Sequence, residues 1–207
     1  MKNIKLIIFD FDGVIADSFG SFYPMIRDAM ASIGLKLSKN DYRNLFIGNI
    51  HHGFKDFIKD ERKFIKFSKY RTRHYSDYYR PKIFAGSKDF LNKVREQGYK
   101  TAICSSGDKE TVLKTLATNN IGGFFDLIFA TNESTKEKMI KDSLEKFKSK
   151  PEESVMITDT VGDIKIAKQL NLRVVAVTWG FNSKELLRSA NPDFIAKSFS
   201  DLTPYLF

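Results

Sequence analysis

Ile4-Lys5-Leu6-Ile7-Ile8-Phe9-Asp10-Phe11-Asp12-Gly13-Val14 is the stretch that decides the reading of this chain. Leu6, Ile7, Ile8 and Phe9 make an unbroken apolar run, the pattern of a strand buried on both faces of a parallel sheet. Ending such a strand in two carboxylates is costly unless something positive meets them. In open α/β sheets, ligands bind just beyond the carboxyl ends of the strands. Asp10 and Asp12 are therefore candidates for holding a cation, for chemistry, or for both. An Asp-x-Asp triplet also arises by chance on solvated surfaces, so the rest of the chain must carry the decision.

Beyond residue 82 the chain alternates strand and helix patterns. Lys100 to Cys104, Phe125 to Ala130, Ser154 to Thr158 and Arg173 to Val177 read as strands. Ser87 to Gln97, Asp108 to Thr118, Thr135 to Phe147 and Asp163 to Leu170 read as helices, the first closed by Gly98. Strand, helix, strand, helix implies βαβ units, and hence an α/β, Rossmann-like parallel sheet with helices on both faces.

Residues 18–82 break the rhythm. Phe22, Met25, Ile26, Ala29, Met30 and Ile33 fall on one helical face, which Gly34 closes. Ser38-Lys39-Asn40-Asp41 resembles a capping box. Phe54, Phe57, Ile58, Phe64 and Ile65 continue the helical spacing. The expectation is a small α-helical cap domain, 18–82, inserted after the first strand of a core made of 1–17 and 83–207. An insert at that point lies over the carboxyl end of the strand, where a lid belongs.

Each of four chemistry-bearing sites follows a predicted strand. They are Asp10 with Asp12, Ser105-Ser106-Gly107, Lys136 with Lys138 nearby, and Asp159 with Asp163. Carboxylates, a hydroxyl, backbone N–H groups and an ammonium suit Mg²⁺ together with a phosphoryl group. Each also has an ordinary reading: a turn for Ser105, a surface lysine for Lys136, a helix cap for Asp159 or Asp163. Ser134-Thr135-Lys136-Glu137 reads as a capping box that puts Lys136 in the first helical turn, where a cation opposes the helix dipole. Local rules are broken at functional sites, and the helix start and the lysine would both favour a bound phosphate.

Taken in order, Phe9-Asp10-Phe11-Asp12-Gly13-Val14, Ile103-Cys104-Ser105-Ser106, Lys136 and Asp159-Thr160-Val161-Gly162-Asp163-Ile164 resemble the motifs of the haloacid dehalogenase superfamily. The resemblance is to its phosphatase branch, the phosphoglycolate phosphatase-like proteins with a type 1 helical cap. Val177-Thr178-Trp179-Gly180-Phe181 and Ala190-Asn191-Pro192-Asp193-Phe194-Ile195 resemble late family segments. There are two departures. Thr158 stands where the family often has Gly, and the lysine segment lacks the prolines of many relatives, so Lys136 and Lys138 compete. Alignment through Met139-Ile140 and Leu144-Glu145 favours Lys136.

The resemblance implies an Mg²⁺-dependent phosphoric monoester hydrolase. Asp10 would be the nucleophile and Asp12 the acid and base. Ser105, the Ser106 N–H and Lys136 would hold the phosphoryl oxygens. Asp10, the Asp12 carbonyl and Asp159 would bind the metal, with Asp163 supporting it directly or through water. Asp12 argues against dehalogenation, because a halide leaves without a proton. The alternatives are a sugar-phosphate mutase of the same fold and a non-catalytic protein that binds a phospho-ligand.

The resemblance also implies a small phosphorylated metabolite as partner. The chain has 207 residues, 42% hydrophobic and 29% charged, as in globular proteins. No apolar stretch is long enough to span a bilayer. Met1-Lys2-Asn3 leads straight into the first strand, and the single Cys104 permits no internal disulfide, so the expected setting is the reducing cytoplasm. Cys104 itself reads as a buried structural thiol. The net charge of +9 is spread along the chain. In the insert, Lys55, Lys59, Arg62, Lys63, Lys66, Lys69, Arg71 and Arg73 alternate with aromatics. The aromatics are read as the cap's core and the basic residues as its wet face, so no nucleic acid is expected. The Gly48 to Gly53 loop is a candidate for touching substrate. His51, His52 and His74 lack metal-site spacing. The expected assembly is a monomer or weak homodimer.

Overall fold

In a computed structural model, which describes residues 4–48, 50–80, 82–131 and 133–207, Leu6–Phe9 forms β1 and Ala16–Asp17 forms β2. Four helices follow: Phe19–Ala31 (α1), Lys39–Asn44 (α2), Ile50–Ile58 (α3) and Glu61–Tyr78 (α4). Lys82–Ile83 (β3) returns to pair antiparallel with β2. Then come Ser87–Glu96 (α5), Lys100–Ser105 (β4), Lys109–Thr118 (α6), Leu127–Ala130 (β5), Lys136–Phe147 (α7), Ser154–Thr158 (β6) and Val161–Gln169 (α8). Arg173–Val177 (β7), Lys184–Ser189 (α9), Phe194–Ala196 (β8) and Phe199–Leu206 (α10) complete the chain.

The main sheet runs β5-β4-β1-β6-β7-β8, with every pairing parallel. β1 sits mid-sheet, and its two side-chain sets feed two cores, as a period of two requires. Ile7 and Phe9 join Phe90 and Leu91 of α5, Val112 of α6 and Leu202 of α10. Leu6 and Ile8 join Met139 and Ile140 of α7, Ile164 of α8 and Leu187 of α9. Successive strands step from β1 to β4 and β5 on one side, then cross back to β6, β7 and β8 on the other. The crevice at that reversal opens between the ends of β1 and β6, the place where such sheets bind ligands.

Helices α1–α4 enclose a third core, built around Met25, Ile26, Ala29, Met30, Tyr42, Phe54, Phe64 and Phe67. The Ser38–Asp41 capping box forms, with reciprocal bonds of 3.1 and 3.0 Å. Phe181, on the loop after β7, joins this helical core. Its ring lies 4.6 Å from Phe46 and 5.4 Å from Phe19. The Arg43 guanidinium donates to the Phe181 carbonyl at 2.9 Å, and Asn182 Nδ2 donates to the Arg43 carbonyl at 2.7 Å. The insert is thus pinned to the loop between β7 and α9.

Several sequence expectations shift. The strand expected from Phe125 starts at Leu127, because the Asp126 carboxylate accepts from the Thr101 N–H at 2.9 Å. β4 runs one residue further than expected, so Ser105 ends a strand and is not a turn residue. The helix expected from Asp163 starts at Val161, with Thr160 as its cap. Thr135, not Ser134, caps α7. His51, His52 and Gly53 belong to α3, not to a loop, while Asn49 and Met1-Lys2-Asn3 lie outside the described residues. Arg71 is not on the wet face. Its guanidinium lies over the rings of Phe54 and Phe67 at 5.1 and 5.5 Å. The other basic residues named in the insert are exposed. Cys104 is fully buried, and burial pushes its thiol up to about 11, which leaves it protonated and inert. Among the described residues no helix is long and apolar enough to cross a membrane.

Candidate active site

Alternation along β1 determines where Asp10 points. Continuing the Leu6–Ile8 set, it faces the side covered by α7 and α8. There it meets Lys136, the first residue of α7, and Asp163, in the first turn of α8. Lys136 Nζ donates to Asp10 Oδ1 at 2.7 Å and to the Cys104 carbonyl at 2.8 Å, and pairs with Asp163 Oδ2 at 3.1 Å. All three side chains are nearly buried. Asp10 Oδ1 also accepts from the Phe11 N–H at 2.8 Å. The Thr158 hydroxyl donates to Asp163 Oδ2 at 3.1 Å, so the residue that departs from the family pattern orients an acid of the crevice. Lys138 turns outward to pair with Asp142 at 2.8 Å. The geometry favours Lys136 over Lys138.

Asp159 lies just past β6, fully buried. Its Oδ2 accepts from the Phe181 N–H at 2.6 Å. Gly13, at φ +83°, and Gly180 press on the same carboxylate. A Cβ on either would come within 2.1 or 2.2 Å of Asp159 Oδ2. Glycine at 13 therefore serves a close approach as well as a left-handed turn. Asp159 Oδ1 is buried and receives no hydrogen bond.

Asp12 sits on the insert side. The Tyr79 hydroxyl, just beyond α4, donates to Asp12 Oδ1 at 2.9 Å. A Cβ on Gly107 would lie 3.2 Å from Asp12 Oδ2 and 3.1 Å from Ser105 Oγ, so Asp12 and Ser105 flank the same glycine. Ser105 Oγ accepts from the Gly107 N–H at 3.0 Å. Ser106 is exposed.

Burial raises the pKa of all three central acids. For Asp10 it outweighs the Lys136 ammonium, and Asp163 adds to the rise. For Asp159 burial acts together with the charges of Asp10 and Asp163, against the Phe181 N–H. For Asp12 burial is opposed by Ser18, Tyr79 and Lys136. Burial alone would lower Lys136, but Asp10 and Asp163 outweigh it and hold the ammonium protonated. One cation therefore faces several desolvated acids.

Among the described residues no three acidic, histidine or cysteine side chains are gathered as a finished metal cage; the charge between Asp10 and Asp163 is met by Lys136 instead. Two observations still fit a hard cation. The donors are oxygens, the kind Mg²⁺ selects, and a buried carboxylate oxygen without a partner, Asp159 Oδ1, is costly until something positive meets it. Tyr79 and Asn182 escaped the sequence reading, since a lone phenol or amide carries no spacing signal. Asn182 Oδ1 accepts from the Val161 N–H at 2.8 Å, which ties the start of α8 to the insert.

An α/β sheet with a crevice of acids and one lysine at its switch point, beneath a helical insert, defines a class of hydrolases. The profile of the haloacid dehalogenase-like hydrolase family matches residues 7–177, and the chain belongs to that family. It is 29% identical over 209 residues to a provisionally named pyrophosphatase PpaX of Caldanaerobacter subterraneus subsp. tengcongensis, covering 96% of this chain and 93% of that protein. It is 25% identical over 217 residues to pyrophosphatase PpaX of Halalkalibacterium halodurans, covering 96% and 95%. In fold it is similar to a haloacid dehalogenase-like family hydrolase from Streptococcus pneumoniae, with a TM-score of 0.88 at 22% identity and 100% of both chains covered.

Proposed function

We propose that this hydrolase is an Mg²⁺-dependent phosphatase of a small phosphomonoester, acting through an aspartyl phosphate on Asp10. The observation that carries the reading is the Lys136 ammonium held between Asp10 and Asp163 at the sheet's switch point. A buried lysine there can exchange a carboxylate partner for phosphoryl oxygens. The names of the similar pyrophosphatases and the family membership support the same chemistry.

In the proposed sequence Asp10 attacks phosphorus and the ester P–O bond breaks. Asp12 gives its proton to the leaving oxygen; its upward-shifted pKa suits it to begin protonated. Asp12 then takes a proton from the water that attacks the aspartyl phosphate, and Asp10 is regenerated. Ser105, the Ser106 N–H and Lys136 hold the phosphoryl oxygens. Asp10, Asp159 and the Asp12 carbonyl, with Asp163 directly or through water, would hold Mg²⁺, which when bound supplies positive charge against the carboxylates and the phosphoryl group. Helices of 18–82 serve as the cap over a core of 1–17 and 83–207, and exclude water from the reaction.

The test is phosphate release from a panel of phosphomonoesters, with and without chelator. Activity that EDTA removes and Mg²⁺ restores is expected. Full activity in chelator would refute the metal role. Ligand binding without turnover of any phosphoester would make the chain a binding protein instead.

A further inference from the structure

We propose that Phe181, on the loop between β7 and α9, is a positioning residue that makes cation binding at Asp159 and seating of the helical insert one linked equilibrium. A divalent ion then binds tightly only while the insert is seated, and the bound ion holds the insert in place. The inference rests on the reading of Asp159 as a metal ligand and adds what sets that ligand.

The argument starts from the grip of the loop on Asp159. Trp179 Nε1 donates to the Val14 carbonyl at 3.1 Å, which ties the loop to the turn after β1. Gly180 passes so close that a Cβ there would lie 2.2 Å from Asp159 Oδ2. The Phe181 N–H donates to Oδ2 at 2.6 Å, and the Asn182 N–H donates to the Asp159 carbonyl at 3.2 Å. Asn182 Oδ1 accepts from the Val161 N–H at 2.8 Å. Two successive N–H groups thus fix both the carboxylate and the backbone of Asp159. They also decide which oxygen is left over, since Oδ1 has no hydrogen-bond partner. Groups that orient a metal ligand in this way control metal affinity.

The insert holds the same two residues from the other side. The Phe181 ring is 2% exposed. It packs among Phe46, Phe19, Tyr42 and Phe22, at 4.6, 5.4, 6.1 and 6.3 Å between ring centres. Arg43 of α2 closes a two-point clasp. Its guanidinium donates to the Phe181 carbonyl at 2.9 Å, and its own carbonyl accepts from Asn182 Nδ2 at 2.7 Å. The Phe19 ring, 4.4 Å away, steadies that guanidinium. Lifting the insert would return a phenyl ring to water and break both bonds. The insert therefore grips the carbonyl of Phe181 while Asp159 takes its N–H. Both groups belong to one residue, with no flexible side chain between them. Close packing passes such a shift on rather than absorbing it. Linkage then works in both directions, from insert to cation and from cation to insert.

The test measures metal binding directly on the intact protein without substrate, using Mn²⁺ as an EPR-visible probe and Mg²⁺ as its competitor. Phe181→Ala is expected to weaken both ions by about 10- to 100-fold. Arg43→Met removes the guanidinium bond to the loop without touching any acid of the crevice. It should weaken both ions by about 3- to 10-fold, the equivalent of one hydrogen bond. Leu91→Ala costs packing in the core under the sheet's other face and should leave both affinities within about twofold. Saturating Mg²⁺ should slow hydrogen exchange across residues 39–47 of the wild type and leave 199–206 unchanged; in Arg43→Met the slowing at 39–47 should be lost. Equal affinities in the wild type and both clasp variants, or an equal loss in Leu91→Ala, overturn the proposal and leave the metal role standing. A wild type that takes up neither ion removes the metal role and the proposal with it. If Phe181→Ala does not fold, Arg43→Met and the exchange comparison decide.

Discussion

The crevice at the sheet's edge and the interior of the helical insert solve the same physical problem in opposite ways. Both bury a cation. In the crevice Lys136 meets two carboxylates and a carbonyl within 3.1 Å, and a threonine hydroxyl steadies one of the acids. In the insert Arg71 has aromatic rings and, among the described residues, no carboxylate within ion-pair distance. In the first, the lysine is fully partnered and its geometry is fixed from several sides. In the second, the Arg71 Nε has no hydrogen-bond partner. The difference teaches how each region keeps its cation, by ion pairs on strands and helix starts in one and by aromatic stacking in the other. Chemistry needs groups held to fractions of an ångström by strands and helix starts.

The largest expected effect breaks the crevice alone. Asp10→Asn should lower phosphate release by about 10⁴-fold or more, since the nucleophile is removed. Melting should change little, because Asp163 still pairs with Lys136. Near-normal turnover by this variant would remove Asp10 from its role. Next is Lys136→Met, which leaves Asp10 and Asp163 buried side by side without their cation. A loss of about 3–5 kcal/mol in denaturant unfolding is expected near neutral pH. The loss should shrink in acid, where the two carboxyls can take up protons. An unchanged midpoint would mean that the pair contributes no more than a surface ion pair.

The same contrast explains what the sequence disclosed. The crevice was legible because strand alternation and helix starts fix side-chain direction. Once β1 is read as doubly buried, Asp10 must share the face of Leu6 and Ile8, and Lys136 at a helix start that follows a strand must be near the strand ends. What escaped there were partners without a pattern, such as the Thr158 hydroxyl on Asp163 and the Asn182 amide at the start of α8. The insert was legible as helices but not as an environment. Periodicity placed Phe54 and Phe64 inside, yet the basic residues of the insert, Arg71 among them, were read as a wet face, because a charged residue on a helix is usually solvated. The helix spacing that aligns Arg71 with Tyr75 and Tyr79 was present in the sequence. That Phe54 and Phe67 would bracket the guanidinium depended on how α3 and α4 pack. The antiparallel β2–β3 pair was missed because two-residue strands carry no periodic signal.

A smaller effect sharpens the comparison through pH. Burial raises Asp10 to about 7, and Asp12 and Asp159 move the same way. A carboxyl whose folded pKa lies above its unfolded value contributes stability below the unfolded pKa and loses it as pH rises through the folded one. Chelated protein should therefore melt at progressively lower temperature as pH rises from about 4 to above 7, the window set by Asp10. Acids with lowered pKa, such as Asp126 beside Thr101, act only below that window. Mg²⁺ binds the ionised acids and should raise the melting temperature more at pH 8 than at pH 5. A pH-independent melting temperature with equal Mg²⁺ shifts would show that the acids are not desolvated as a group.

The smallest effect probes the contact that joins the two regions. The Tyr79 hydroxyl on Asp12 is the point where the insert touches the acid that handles protons. Tyr79→Phe removes that bond and keeps the ring, so stacking on Tyr75 and packing on Phe22 should survive. A net hydrogen bond is worth about 0.5–1.5 kcal/mol, so kcat should change by no more than about tenfold. The informative readout is the pH profile. Tyr79 lowers the Asp12 pKa, so its loss should move the limb governed by Asp12 to higher pH, leaving the fold and the Asp10 limb in place. That shift would tie closure of the insert to the proton inventory of the crevice. A tenfold loss with an unmoved profile would instead mean that Tyr79 only helps to seat the insert, and that Asp12 takes its pKa from burial and the sheet-side groups alone.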